Sequence, residues 1–234
     1  MEFDLSRATN GILLVDKPAG WTSFDVVAKV RGQLKAQYAA RGEKPTKRQL
    51  KVGHAGTLDP FATGLLVLLL GDATKKADEF LKLDKVYEAT ITLGATSTTG
   101  DPEGDIKTYH TITSNFRGPA LEKMEAVLGQ FVGEIRQRPP IFSAIKINGK
   151  RAYKLARDGK EVEIPLRNVT IYSIELIDYT YPELKIRTHV GSGTYIRSLA
   201  VDIGEALGTG AYCSQLRRTK IAEWSVDSAN PLVE

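Results

Sequence analysis

The feature that most constrains this chain is the unbroken apolar run Leu65–Leu70, closed by Gly64 on one side and Gly71 on the other. A run of six apolar residues between glycines suits a buried strand or a buried helix segment, and the glycines favour the strand. The thirteen residues that lead into it, Val52–Gly64, hold three glycines, a histidine and one acid, Asp59. Pro60 pushes Asp59 towards extended backbone, so the acid is expected on a rigid loop at the edge of the core. Catalytic side chains concentrate on such loops. By itself the pattern suits a turn or cap residue better than a catalyst, because Asp favours turns.

The remaining elements follow from periodicity. Gly11–Val15 reads as a short buried strand. Thr22 and Asp25 form a capping box ahead of Val26, Val27, Val30 and Leu34 at helical spacing, and the basic stretch from Ala36 to Lys51 reads as a loop. Ala73–Leu83 is predicted helical. In Val86–Leu93, Tyr87, Ala89, Ile91 and Leu93 share one face of a strand. Leu121–Phe131 is predicted helical, 167–177 and 184–190 pair as strands, and Thr194–Leu207 forms a helix with Ile196, Leu199, Ala200, Ile203 and Leu207 inward. Strands and helices alternate without a regular βαβ rhythm, which gives an α+β class.

Composition narrows the function. The 234 residues carry a net charge of +4 and a single cysteine, Cys213, which excludes an internal disulfide and a Cys-rich zinc site. The N-terminal residues have no apolar signal core, and no apolar run approaches the ~20 residues of a membrane helix. A soluble cytoplasmic protein is expected. The charge is uneven: residues 29–51 hold eight basic residues against Glu43 alone, a net +7, and residues 134–160 hold eight against two acids, a net +6. A basic segment is usually a solvated face, but two in one chain point towards phosphate. There is no P-loop and no dinucleotide fingerprint, and His54, His110 and His189 are far apart. Neither a metal nor a nucleotide cofactor is expected.

Several segments together resemble the TruB family of tRNA pseudouridine synthases. Val52–Gly64, with Gly53-His54-Ala55-Gly56-Thr57-Leu58-Asp59-Pro60, is similar to the family's catalytic motif. Gly11–Gly20 resembles its N-terminal motif. Lys85-Val-Tyr87-Glu-Ala89, followed by Leu93–Asp101, resembles its tyrosine motif, and Arg138–Lys146 the segment before its RNA-gripping insertion. Gly193–Leu199 with Asp202 resembles its arginine motif, and Leu216-Arg217-Arg218 closes the set. The six segments stand in family order over roughly residues 11 to 224.

The resemblance implies a pseudouridine synthase fold with a central mixed, mostly antiparallel sheet flanked by helices. It implies isomerisation of uridine to pseudouridine, at the T-loop uridine 55 of tRNA, with no cofactor. Asp59 takes the place of the catalytic aspartate. Arg197 is the arginine expected to pair with it, and Tyr87 the tyrosine expected against the flipped uracil. His54 is expected near the space the base vacates, and Leu216 as an apolar wall of the pocket. Tyr195, Lys17, Lys75 and Asp101 are expected to support the site or touch RNA. From pattern alone, Tyr87 and Leu216 are ordinary core residues, Arg197 is a solvent- or phosphate-facing arginine, and His54 is a loop residue bonded to backbone. The insertion falls at residues 138–163 and is expected to be mobile. Bacterial relatives carry a C-terminal RNA-binding domain; here the sequence ends ten residues after Trp224. The expectation is therefore one catalytic domain, 1–234, without a PUA-type domain, acting as a monomer on the tRNA T-arm. Two other readings compete: an RNA-folding chaperone of the same fold, and a glycoside hydrolase using Asp59 and Asp101 as a carboxylate pair.

Overall fold

In the computed structural model, the apolar run is the spine of the first half of the molecule. The structure describes residues 2–109, 117–141, 143, 146–147, 150–151 and 164–231. The expected insertion, 138–163, lies mostly outside the described residues. The elements in chain order are β1 (Ile12–Lys17), α1 (Ser23–Ala40), β2 (Val52–Ala55), β3 (Thr63–Leu70), α2 (Ala77–Leu81), β4 (Lys85–Leu93), β5 (Ala95–Ser97), β6 (Ile106–Thr108), α3 (Leu121–Gln130), β7 (Gly133–Gln137), β8 (Lys146–Ile147), β9 (Lys150–Arg151), β10 (Arg167–Thr180), β11 (Glu183–Val190), α4 (Ile196–Leu207), β12 (Ala211–Ile221) and β13 (Trp224–Ser225). They divide into two compact units, Met1–Tyr87 with Leu216–Glu234, and Glu88–Gln215, so that β4 and β12 contribute residues to both.

In the first unit, Leu65 to Leu69 are all fully buried, which is why that run shows no polar alternation. One edge of β3 is taken by antiparallel β1, from Lys17↔Gly64 to Ile12↔Leu69. The other edge is shared. Antiparallel β2 lies beside Val67–Leu70, and parallel β12 lies beside Thr63 and Gly64. Between these two partners the chain leaves the sheet as the loop that carries Asp59. One face of β3 (Leu65, Val67, Leu69) packs with Ala55, Phe80, Ile221 and Ala229 into a core cluster. The capping box on α1 is formed, with Thr22 and Asp25 bonding each other's backbone N–H.

In the second unit the strand order is β12-β4-β11-β10-β7. β10 pairs antiparallel with both β11 and β7. Helix α4 buries Ile196, Leu199, Ala200, Ile203 and Leu207, the five residues expected to face inward, and ends at Gly208 in the left-handed region (φ 75°). Met124, Val127 and Leu128 are the buried face of α3. The α+β class with a mixed, mostly antiparallel sheet is borne out.

The largest departures from the expected element boundaries are at two places. Helix α1 continues to Ala40 instead of ending at Ala36, because Ala36, Gln37, Ala39 and Ala40 are good helix formers and the stop comes only at Gly42, with φ 71°. Residues 71–76 form a 3-10 segment rather than the first turns of a helix. There the Thr74 hydroxyl donates to the Gly71 carbonyl (2.7 Å), capturing an acceptor that a regular helix would use. Among the described residues no helix is long and apolar enough to cross a membrane.

Candidate active site

Asp59 sits in a loop whose backbone is held from several directions. On its N-terminal side, the Ser23 hydroxyl donates to the Leu58 carbonyl (3.1 Å) and accepts from the Leu58 N–H (2.8 Å). On its C-terminal side, the Pro60 carbonyl accepts from the Gly20 N–H at 2.8 Å and from Lys17 Nζ at 3.3 Å. A turn bond from Ala62 N–H to the Asp59 carbonyl (3.1 Å) closes the apex. Leu58 and Ala62 are buried, so the residues flanking half-buried Asp59 are anchored in the core. Buried backbone must find partners, and in this loop side chains supply them.

Lys17 is fully buried, and its ammonium also donates to Pro18 O (2.8 Å) and Trp21 O (2.6 Å). It thus ties the turn after β1 to the Asp59 loop, and its charge is spent on carbonyl oxygens. At the base of the loop, Arg218 is 1% exposed. Its Nη2 donates to Gly56 O (3.0 Å) and its Nε to Leu65 O (2.8 Å). Lys85, 8% exposed, donates to the Leu81 and Leu83 carbonyls. Burial, together with the nearby Arg218 cation and against the pull of Asp84, lowers its pKa to about 8.

The other expected residues of this unit take defined places. Tyr87 is buried two residues after Lys85 on the same strand face, and Leu216 is buried two residues before Arg218 on β12. His54 lies on β2 opposite Leu68, two residues before Gly56. Lys75 is an exposed residue of the 3-10 segment and pairs with Asp72 at 3.4 Å.

In the second unit, Arg197 on the first turn of α4 is 5% exposed and Asp101 is 2% exposed. Arg197 Nη1 donates to Asp101 Oδ2 at 2.7 Å and to Thr99 O at 3.2 Å. Asp101 also accepts from the Thr99 hydroxyl and from the Glu103 N–H (3.0 Å). A carboxylate so engaged holds a guanidinium rather than activating water, which removes support from the Asp59–Asp101 hydrolase pair. Tyr195 is the N-cap of α4. The buried Gln137 amide grips its backbone on both sides, accepting from Tyr195 N–H (2.8 Å) and donating to Tyr195 O (3.1 Å). Among the described residues no group of three or more His, Cys, Asp or Glu is set to hold a metal ion.

Ser23, Gln137, Lys85 and Arg218 were not among the residues expected at the site. Strand parity carried a signal for two of them: Lys85 shares a face with Tyr87, and Arg218 with Leu216, so both charges fall on buried positions.

Two family models match the chain. One, described as TruB family pseudouridylate synthase (N terminal domain), matches residues 43–196. The other, tRNA pseudouridylate synthase B C-terminal domain, matches residues 197–232. The tRNA pseudouridine synthase B of Parabacteroides distasonis is 46% identical over 216 residues, covering 92% of this chain and 87% of that protein. The enzyme of the same name from Cupriavidus metallidurans is 43% identical over 225 residues, covering 95% of this chain and 66% of that one. Among solved structures, a chain of a Cbf5-Nop10-Gar1 complex superposes with a TM-score of 0.65 at 32% identity; the match covers 92% of this chain and about half (50%) of that one. With motifs, fold and these similarities in agreement, the chain belongs to the TruB family of pseudouridylate synthases.

Proposed function

We propose that this protein isomerises uridine to pseudouridine in tRNA, at the T-loop uridine 55. The observation that carries the reading is Asp59, seated in the family's motif on a loop fixed at both neighbouring residues. In the reaction the N1–C1′ bond breaks, the uracil turns, C5 bonds to C1′, the C5 proton leaves and N1 gains a proton. Atoms balance without a co-reactant. A stacked uridine cannot meet a half-buried carboxylate, so the base is flipped out at a cost of a few kcal/mol. Asp59 acts as the nucleophile or base. Arg197 pairs with it, keeping it ionised and oriented, and Asp101 acts through Arg197. Tyr87 lies against the uracil with its ring face and hydroxyl available, Leu216 walls the pocket, and His54 lies near the space the flipped base vacates. Lys17 and Tyr195 support the site, and Lys75 contacts RNA.

The T-arm is the partner. The exposed cations Lys35, Lys44 and Lys47 form no ion pair among the described residues and supply phosphate contacts. The enzyme acts as a monomer in the cytoplasm.

Tritium release from tRNA labelled at uracil C5 tests this. Wild type should release label from tRNA carrying uridine at position 55 and none when that residue is cytidine. Binding without release by wild type would favour the non-catalytic chaperone.

A further inference from the structure

The hairpin formed by β2 and β3 stops pairing at Ala55↔Val67. Beyond that pair the two chains diverge around the Asp59 loop, leaving carbonyls that the ladder would have used. The Arg218 guanidinium fills the gap, with one nitrogen on Gly56 O and another on Leu65 O. One planar group therefore bridges the residue before the loop and the residue after it. The backbone of Arg218 grips the same place. It pairs with Gly64, so closely that a Cβ on Gly64 would lie 2.3 Å from the Arg218 carbonyl oxygen, where φ is +100°. Beneath the other end, a Cβ on Gly56 (φ +90°) would meet Arg218 Nη1 at 3.3 Å and Lys85 Cε at 3.8 Å. Two long cationic side chains thus converge under one glycine. A buried arginine that only filled space would be outdone by an apolar residue of similar volume; this one has its fork matched to two carbonyls at the loop's base.

We propose that Arg218 is a positioning residue for the isomerisation: its guanidinium staples the two ends of the Asp59 loop, with the Lys85 stem as the floor under Gly56, and so sets the height and direction of the Asp59 carboxylate. The inference rests on the proposed reaction, but the staple itself can be read without turnover. Lysine at 218 keeps the charge but replaces the planar fork by a single nitrogen, so the separate bonds from Nε to Leu65 O and from Nη2 to Gly56 O are not both kept in their geometry. A misplacement of about 1 Å at a reacting group is enough to cost about 100-fold in rate.

The test combines turnover and hydrogen exchange. In Arg218→Lys, single-turnover tritium release should fall about 100-fold while tRNA affinity stays within about threefold, the signature of lost transition-state geometry rather than lost binding. The Leu58 and Ala62 amides should exchange faster than in wild type, whether or not tRNA is present. In Arg218→Ala, millimolar guanidinium should restore at least about tenfold of the lost rate, with no gain in wild type or Asp59→Ala. Should the Arg218 variants fail to fold, Gly56→Ala disturbs the same junction from the loop side and should give the same split between rate and affinity. Wild-type rate with unchanged exchange in Arg218→Lys, a rate loss that only tracks the unfolded fraction, or no guanidinium rescue would overturn the staple. An inactive wild type with normal exchange effects would instead overturn the proposed reaction and leave the staple standing.

Discussion

The loop around Asp59 and the segment around Arg197 are held by different physics. The Asp59 loop is held through its backbone: Ser23, Lys17 and Arg218 bond to Leu58, Pro60, Gly56 and Leu65, and none of these bonds uses the Asp59 side chain. Arg197 is held through its own guanidinium, in a buried charge pair with Asp101. The first arrangement spreads the load over several neutral carbonyls, each bond contributing about 0.5–3 kcal/mol. The second concentrates it in one pair whose two charges are costly apart. Damage to the first should be graded, and damage to the second abrupt.

The sharpest way to break this contrast is Asp101→Ala. It strands a buried guanidinium, so a loss of about 3–5 kcal/mol in denaturant unfolding is expected, and 1 M salt should not reproduce it because the pair is sheltered from screening. Ser23→Ala comes next. It removes both bonds to Leu58, and about 1–3 kcal/mol should be lost, with the rate of tritium release falling further than the melting temperature alone accounts for. A smaller effect separates the two regions by pH. Lys85 has a pKa of about 8 in the folded protein against 10.5 for a free lysine. Between these values the unfolded chain binds more protons, so stability rises as pH climbs through that window. The melting temperature of wild type should therefore gain on that of Lys85→Met from pH 8 to 10, and parallel curves would contradict the buried cation. The smallest effect is at the surface. Lys44→Gln and Lys47→Gln should each reduce the salt slope of tRNA binding by about 0.7, with unfolding unchanged.

The same contrast explains what the sequence disclosed. Strands and helices with one apolar face were legible from period alone: β4 and α4 bury the residues their patterns named, and α3 buries Met124, Val127 and Leu128 of its stripe while Leu121 at its first position stays exposed. The Asp59 segment was legible because Gly, His, Asp and Pro are concentrated there, and because the motif order matched a family. The partners that hold it were harder to read. Ser23 looks like an ordinary first-turn residue, and its bond to Leu58 spans 35 positions. Lys17 was read as a site-supporting or RNA-contacting lysine, and only three-dimensional placement shows its ammonium enclosed by Pro18, Trp21 and Pro60 carbonyls. Arg218 and Lys85 were written into buried strand parity, but a charge at such a position does not announce which carbonyl it serves. Helix ends were misjudged where composition and propensity disagreed: the basic charge after Leu34 suggested a loop, while the alanines kept the helix going to Ala40.

The central claim is that a carboxylate on this rigid loop carries the chemistry. Asp59→Asn changes one oxygen to nitrogen and leaves every backbone bond of the loop in place. Single-turnover tritium release from C5-labelled tRNA, measured beside the melting temperature and tRNA affinity of the same preparation, tests it most directly. The account predicts release at background with melting and affinity close to wild type. Release at the wild-type rate by Asp59→Asn would contradict it.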